Sequence, residues 1–497
     1  MKIIPEKKSL ANLMTGVSYQ IINTLLGLVL PYLFITSFGS ETNGLLSSIT
    51  QLFVYVNLLE AGVGAASVQA MYRPLANGDR DGVNGILAAT TRFYLRTGIL
   101  YVLVVILLTM LYPVSVHTDL PNSTVSAVIL LQGFSGAVNY LVSSKYTLLL
   151  KAEGKLYISN TLALSASILR NVGKIVAISM GYDVVAVQAI HFVISVSQSL
   201  VIVIYIKWKY MWVRPWGKAN FQAIAQRNSA LVHQLAWLVF NHIDVVLLTF
   251  VTGNLAVVSV YSLYLLVFEA IQNVLDIIGN GLQYKMGYNA QLSTEALRKY
   301  YRQYEAGFLA LSFALIVVAY LFVRGFIRLY TSGVTDADYL APGLAELFAV
   351  MKLLSIIRQM NRQAVEAAGH FKRTQKYSIA EMGINLGFSL LLVPFWGIYG
   401  VLVGSIAALL FSVVSYTRYT NLVILKTNCR IACSRLIIYL ITAIVIAAMG
   451  DVLLAEEYGS YLELILTVIP TFLVVCAAFG GEVFIVFRCT ICKNRLR

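Results

Sequence analysis

Apolar runs follow one another along almost the whole chain, separated only by short polar turns. Most runs hold about 20 residues or more, enough for a helix to cross a hydrocarbon core of ~30 Å. Lipid offers no hydrogen bonds, so a crossing segment must satisfy its own backbone, and these runs are expected to be helices. The pattern predicts an all-α polytopic membrane protein with about 14 transmembrane helices. They lie near 11–38, 43–72, 85–112, 125–150, 157–180, 184–206, 229–252, 255–284, 303–330, 342–368, 377–395, 399–420, 436–455 and 462–487.

The pattern also repeats once, at an offset of about 215 residues. Gly39 has a counterpart in Gly253, and Gly62/Gly64 in Gly279/Gly281. Arg92-x-Tyr94 recurs as Arg302-x-Tyr304, Ala152-Glu153-Gly154 as Ala367-Ala368-Gly369, and Gly181 as Gly397. Each half holds an even number of spans, so both enter the membrane in the same direction. The expected architecture is two parallel six-helix bundles, residues 1–206 and 229–420, around a central cavity. A basic cytoplasmic linker, 207–228, joins them. Two extra C-terminal helices and a basic tail, 421–497, have no counterpart.

Composition sharpens this picture. Of 497 residues, 59% are hydrophobic and only 12% charged, against about 25% in soluble domains. The net charge of +14 is a topology signal rather than a nucleic-acid footprint. With the N-terminus inside, roughly 28 of the 37 basic residues fall on cytoplasmic segments, while the outer loops carry Glu41, Asp119, Asp183, Asp336, Asp338 and Asp451. Both termini are therefore expected in the cytoplasm, and no nucleic-acid partner is expected. The first apolar run is too long for a cleavable signal. Cys429, Cys433, Cys489 and Cys492 read as reduced thiols on cytoplasmic segments.

The chemistry lies in charges that remain inside the spans. A cation at the bilayer centre costs about 2.5–3.5 kcal/mol on insertion scales, so such groups turn toward protein or water. Arg92/Arg96, Arg170/Lys174 and Arg358/Arg362 are spaced i,i+4 and each pair shares a helix face. Arg170, Lys174, Lys352 and Arg358 lie deepest and have two readings, as cavity lining or as internal ion pairs. Arg92 and Arg362 lie nearer the cytoplasmic end, where snorkelling competes with a binding role. Glu366, one turn from Arg362, is its expected partner. Glu60, Asp244 and Glu269 either neutralise these cations or carry a coupling ion. The soluble segments show no Asp-rich metal motif, Gly-rich phosphate loop or Ser/His/Asp arrangement, and no cofactor is expected. Coupling to H⁺, Na⁺ or the membrane potential is the only energetic input the residues suggest.

Several segments resemble a known family. Phe38-Gly39-Ser40-Glu41-Thr42-Asn43-Gly44, Asn57-Leu58-Leu59-Glu60-Ala61-Gly62-Val63-Gly64 and Tyr72-Arg73-Pro74-Leu75-Ala76 resemble the first two spans of bacterial polysaccharide-biosynthesis flippases. Asn241-His242-Ile243-Asp244 and Val258-Ser259-Val260-Tyr261-Ser262 resemble their seventh and eighth. These carriers belong to the multidrug/oligosaccharidyl-lipid/polysaccharide exporter superfamily. The resemblance implies two six-helix bundles around a cationic cavity, often with two added helices, in the bacterial cytoplasmic membrane. It implies an undecaprenyl-pyrophosphate-linked oligosaccharide, moved from the inner to the outer leaflet. It also brings membrane lipids and other polysaccharide-assembly proteins into view as partners. One departure is that residues 11–38 contain no Arg, where related lipid-linked precursor flippases often place one. Gly78-Asp79-Arg80-Asp81-Gly82 echoes a turn of major-facilitator transporters, but Val83 and Asn84 stand where the basic pair should follow.

Arg170, Lys174, Lys352 and Arg358, with Arg92 and Arg362, are therefore the expected pyrophosphate ligands, and Glu60, Asp244 and Glu269 the expected coupling groups. A multidrug-type exporter would call for an acidic, aromatic cavity. A membrane glycan polymerase or ligase, an enzyme, would call for a long outer loop with Arg or His, which the sequence lacks.

Overall fold

The computed structural model describes residues 15, 22–23, 26–57, 63–116, 118–224, 242–368, 370–454 and 457–495. Most of those residues are helical, and none is in a strand. In chain order the helices are α1 (Leu26–Phe38), α2 (Ser40–Val56), α3 (Val63–Asn77) and α4 (Arg80–Ser115). Next come α5 (Asn122–Ala152), α6 (Leu156–Ser179) and α7 (Val184–Lys209). Then follow α8 (His242–Thr252), α9 (Leu255–Leu292), α10 (Thr294–Tyr330) and α11 (Leu344–Ala367). The last are α12 (Phe371–Trp396), α13 (Ile398–Tyr419), α14 (Cys429–Leu453) and α15 (Tyr461–Arg495).

Each of the 14 expected spans coincides with one of these helices, or with two. Ten helices among the described residues are long and apolar enough to cross a membrane. The remaining four spans fall short for visible reasons. The described parts of the first and seventh, α1 and α8, are short. The second is described in two parts, α2 and α3, each too short by itself, with 58–62 outside the described residues. The tenth, α11, carries Glu346, Lys352, Arg358, Arg362 and Glu366, which lower its hydropathy.

The repeat is written into the backbone. Gly39 between α1 and α2 has φ 84°, and Gly253 between α8 and α9 has φ 63°. Gly181 between α6 and α7 has φ 78°, and Gly397 between α12 and α13 has φ 51°. A side chain at positive φ is strained, so a hairpin of this shape favours glycine in both halves. The α3–α4 and α9–α10 turns match as well. Asp79 Oδ1 accepts the Gly82 amide at 2.8 Å and Ser293 Oγ accepts the Ala296 amide at 3.0 Å, each capping a helix of similar length, 36 and 37 residues.

Two compact units divide the chain, Met1–Ser259 and Val260–Arg497. The boundary falls within α9, so α8 and the first turn of α9 belong to the N-terminal unit. There they meet α2: Asn43 Nδ2 donates to Ser259 Oγ at 2.8 Å, Thr249 Oγ1 to Ser48 Oγ at 2.9 Å, and His242 Nδ1 shares a hydrogen bond with Gln51 at 2.7 Å. The core of this unit centres on Phe53, Tyr101, Val105, Val128 and Tyr140 from α2, α4 and α5. In the C-terminal unit, Phe348 stacks with Tyr264 and Phe268. The helix α10 is the buried axis of that unit. The extra helices α14 and α15 attach to it through Phe313, Tyr439 and Phe479. A buried ion pair, Arg435 to Glu305 at 2.8 Å, fixes the same junction.

Candidate anion-binding site

In the N-terminal unit, α6 presents Ser167, Arg170, Asn171 and Lys174, spaced i, i+3, i+4 and i+7 and so on one face. α7 answers with His191, Ser195 and Gln198, spaced i, i+4 and i+7. Arg170 Nη1 donates to Gln198 Oε1 at 3.1 Å and to Ser195 Oγ at 3.4 Å. Asn171 Nδ2 donates to Ser167 Oγ at 3.3 Å, and Ser167 donates to Asn23 of the first span. Lys174 is 8% exposed, with its ammonium 5.9 Å from the centre of the Phe34 ring. Among the described residues no carboxylate lies within ion-pair distance of Lys174. His191 lies within electrostatic range of both cations. A buried ammonium with no carboxylate beside it among the described residues is costly, and an incoming anion would lower that cost. The α7 residues were not singled out from sequence, although their shared face is legible in the spacing.

The cations of α11 divide between different partners. Lys352 is 8% exposed and lies 3.7 Å from Glu269 of α9. Arg358, six residues on and so about 120° round the helix, points to α12. Its guanidinium pairs there with Glu381, whose other oxygen accepts from Ser412 at 2.8 Å. Both members of this pair are buried, so Arg358 is occupied by an internal partner. Arg362 pairs with Glu366 at 2.8 Å, as the spacing leads one to expect. Arg92 is exposed and donates from Nη2 to the Gly217 carbonyl at 3.3 Å, bracing the linker.

Beside Lys352 runs a polar seam between α9 and α11. Gln272 Nε2 donates to Asp276 Oδ1 at 2.8 Å and to Gln359 Oε1 at 2.7 Å, and Gln359 Nε2 donates to Asp276 Oδ1 at 2.7 Å. One turn further, Gly279 lies against Gln363, and a Cβ on that glycine would approach Gln363 Nε2 to 2.7 Å. Tyr304 OH donates to Gln363 Oε1 at 2.6 Å.

Of the coupling candidates, Asp244 is buried on α8 near Tyr55. Glu269 is half exposed beside Lys352. Glu60 lies outside the described residues.

No protein-family model and no curated protein sequence matches the chain. Solved structures do. The lipid II flippase MurJ in an inward closed conformation aligns with 96% of this chain and 100% of its own, at TM-score 0.65 and 13% identity. An inward-facing multidrug resistance MATE family transporter of the MOP superfamily aligns with 81% of this chain and 97% of its own, at TM-score 0.61 and 16% identity. A MOP superfamily transporter from Pyrococcus furiosus, described by a reversed polarity of its binding pocket, aligns with 82% and 93%, at TM-score 0.52 and 14% identity. The chain is a multi-pass membrane protein with the fold of the MOP superfamily transporters.

Proposed function

We propose that this protein is a flippase that moves a lipid-linked oligosaccharide, carried on undecaprenyl pyrophosphate, from the inner to the outer leaflet of a bacterial cytoplasmic membrane. The observation that carries the reading is the paired cationic face of α6, with Lys174 buried and lacking a carboxylate partner among the described residues. A diphosphate is its natural complement. The Arg170 fork grips phosphate oxygens in bidentate fashion and the Lys174 ammonium adds a point charge. Within the C-terminal unit, Lys352 is a separate buried cation beside Glu269. The amide and carboxylate groups of Gln272, Gln359 and Asp276 suit glycan hydroxyls, which both donate and accept.

Transport by alternating access fits the hydrogen bonds that tie α2 to α8 and α9. With the N-terminus inside, these bonds sit toward the outer face and would part as the carrier opens outward. An inside-negative potential helps expel an anion by about 2.3 kcal/mol per charge per 100 mV. Asp244 and Glu269 are the groups proposed for H⁺ or Na⁺ coupling. Glycosyltransferases and other assembly proteins would supply and consume the lipid-linked glycan.

The test is Lys174→Gln and Arg170→Gln in cells that lack the native carrier. Loss of surface polysaccharide at normal protein level supports the reading, and normal polysaccharide in both variants refutes it. Export of small amphipathic cations, unaffected by either variant, would point to a multidrug exporter instead.

A further inference from the structure

The segment 207–224 is more than a tether. It docks on the N-terminal unit along its length. Asn84 Nδ2 donates to the Trp212 carbonyl at 3.0 Å, while Asn84 Oδ1 accepts the Arg214 amide at 2.7 Å. The Asn220 amide donates to the Gly85 carbonyl at 2.9 Å. Arg92 holds the Gly217 carbonyl. Tyr210 is buried, its hydroxyl donating to Glu153 at 2.6 Å and accepting from Lys155 at 2.8 Å. Arg80 lies over the Trp212 ring and Lys145 over the Trp216 ring, each at 5.7 Å.

So anchored, the segment turns an unusual set of side chains outward. Trp208, Met211 and Trp216 are 78%, 87% and 65% exposed. Among and beside them Lys207, Lys209, Arg214 and Lys218 are all exposed, and the segment contains no Asp or Glu. The exposed acids Asp79 and Asp81, just before the α4 residues that hold the segment, are outnumbered by these four cations together with Arg73 and Arg92. Exposed Trp interleaved with Lys and Arg, on a rigid support beside apolar helices, is the pattern of a segment lying at a headgroup layer.

We propose that 207–224 is a binding surface for anionic lipid headgroups of the inner leaflet, with Trp208 and Trp216 seated at the acyl boundary and the four cations on lipid phosphates. A polybasic segment beside a membrane gains from anionic lipid in proportion to its cations. The α4 residues Asn84, Gly85 and Arg92 link this surface to the helices of the N-terminal unit. This inference is independent of the substrate proposed above.

The test uses full-length protein with Trp212, Trp237 and Trp396 replaced by Phe, leaving Trp208 and Trp216. It is reconstituted in phosphatidylcholine bilayers containing phosphatidylglycerol, with one lipid or the other brominated near the headgroup end of its chains. The ratio of quenching by the two brominated lipids gives their relative association with the segment. The expected result is a strong preference for phosphatidylglycerol. Lys218→Gln or Lys207→Gln alone should lower it by up to about five-fold. Replacing all four cations with Gln should bring it near one, with unchanged gel-filtration behaviour. Equal quenching by both lipids, a preference indifferent to every charge variant, or Trp emission characteristic of water with no quenching would each overturn the proposal.

Discussion

Asn43 and Ser259, 216 positions apart in the sequence, are joined by a 2.8 Å hydrogen bond between the Asn43 amide and the Ser259 hydroxyl. One residue on, Gly44 packs so tightly on the start of α9 that a Cβ would stand 1.8 Å from the Leu255 carbonyl oxygen. Close backbone approach of this kind is what small residues provide between membrane helices. It brings a helix of the first repeat onto helices of the second inside one compact unit.

Gly44→Ala should therefore force α2 and α9 apart. Overpacking of this sort costs about 1–3 kcal/mol, enough to change the closed population by one or two orders of magnitude. A cysteine placed at Ser259 should react with a membrane-impermeant thiol reagent from outside far faster in the Gly44→Ala background. Unchanged labelling would remove this contact from the gating account.

The Arg358–Glu381 pair predicts a different phenotype. Breaking a buried pair by removing one partner strands a charge and costs about 3–5 kcal/mol. Arg358→Ala and Glu381→Ala should each lower the unfolding temperature in detergent, and Arg358→Met with Glu381→Met should restore much of it. Lys174→Gln should leave that temperature unchanged or raise it, because it removes a buried charge that no described carboxylate neutralises. If Arg358→Ala folds normally and only substrate binding is lost, Arg358 is a ligand after all.

The linker clasp has a pH signature. Burial opposes the charge on Lys155, but Glu153 and Tyr210 outweigh it and raise its pKa above the ordinary 10.5. For a raised lysine the stabilisation is complete below the unfolded value and is lost only as pH rises through the folded one. The clasp should thus hold unchanged through neutral and mildly alkaline pH. Tyr210→Phe removes both hydrogen bonds, each to a charged group and worth about 1.5–3 kcal/mol. Trypsin should then cut after Lys209 about ten-fold faster or more at any pH in that range. Cleavage that accelerates steadily from neutral pH in the unmodified protein would contradict the assignment.

Much of the fold was legible in the chain because lipid allows so few solutions. Gly39/Gly253 and Gly181/Gly397 recur because the same hairpin demands positive φ in both halves. The Arg362–Glu366 pair was legible because i,i+4 spacing fixes it within one helix. Arg358–Glu381 and Arg435–Glu305 were not, since each joins two helices whose rotation about their axes decides the partner. Arg435, near the start of α14, is buried against α10 through Glu305. Helical phase also separates Lys352 from Arg358, which depth along the span alone could not reveal. The Gln198, Ser195 and Gln272 contacts escaped notice because neutral polar residues in apolar helices carry no charge signal.

The most direct measurement is binding of undecaprenyl-pyrophosphate-linked oligosaccharide to the purified protein, compared with Arg170→Gln/Lys174→Gln. Two charge-assisted contacts of about 1.5–3 kcal/mol each predict that the double variant binds at least one hundred-fold more weakly while unfolding at an unchanged or higher temperature. Equal affinity in the two proteins would contradict the claim that the α6 cations hold a diphosphate.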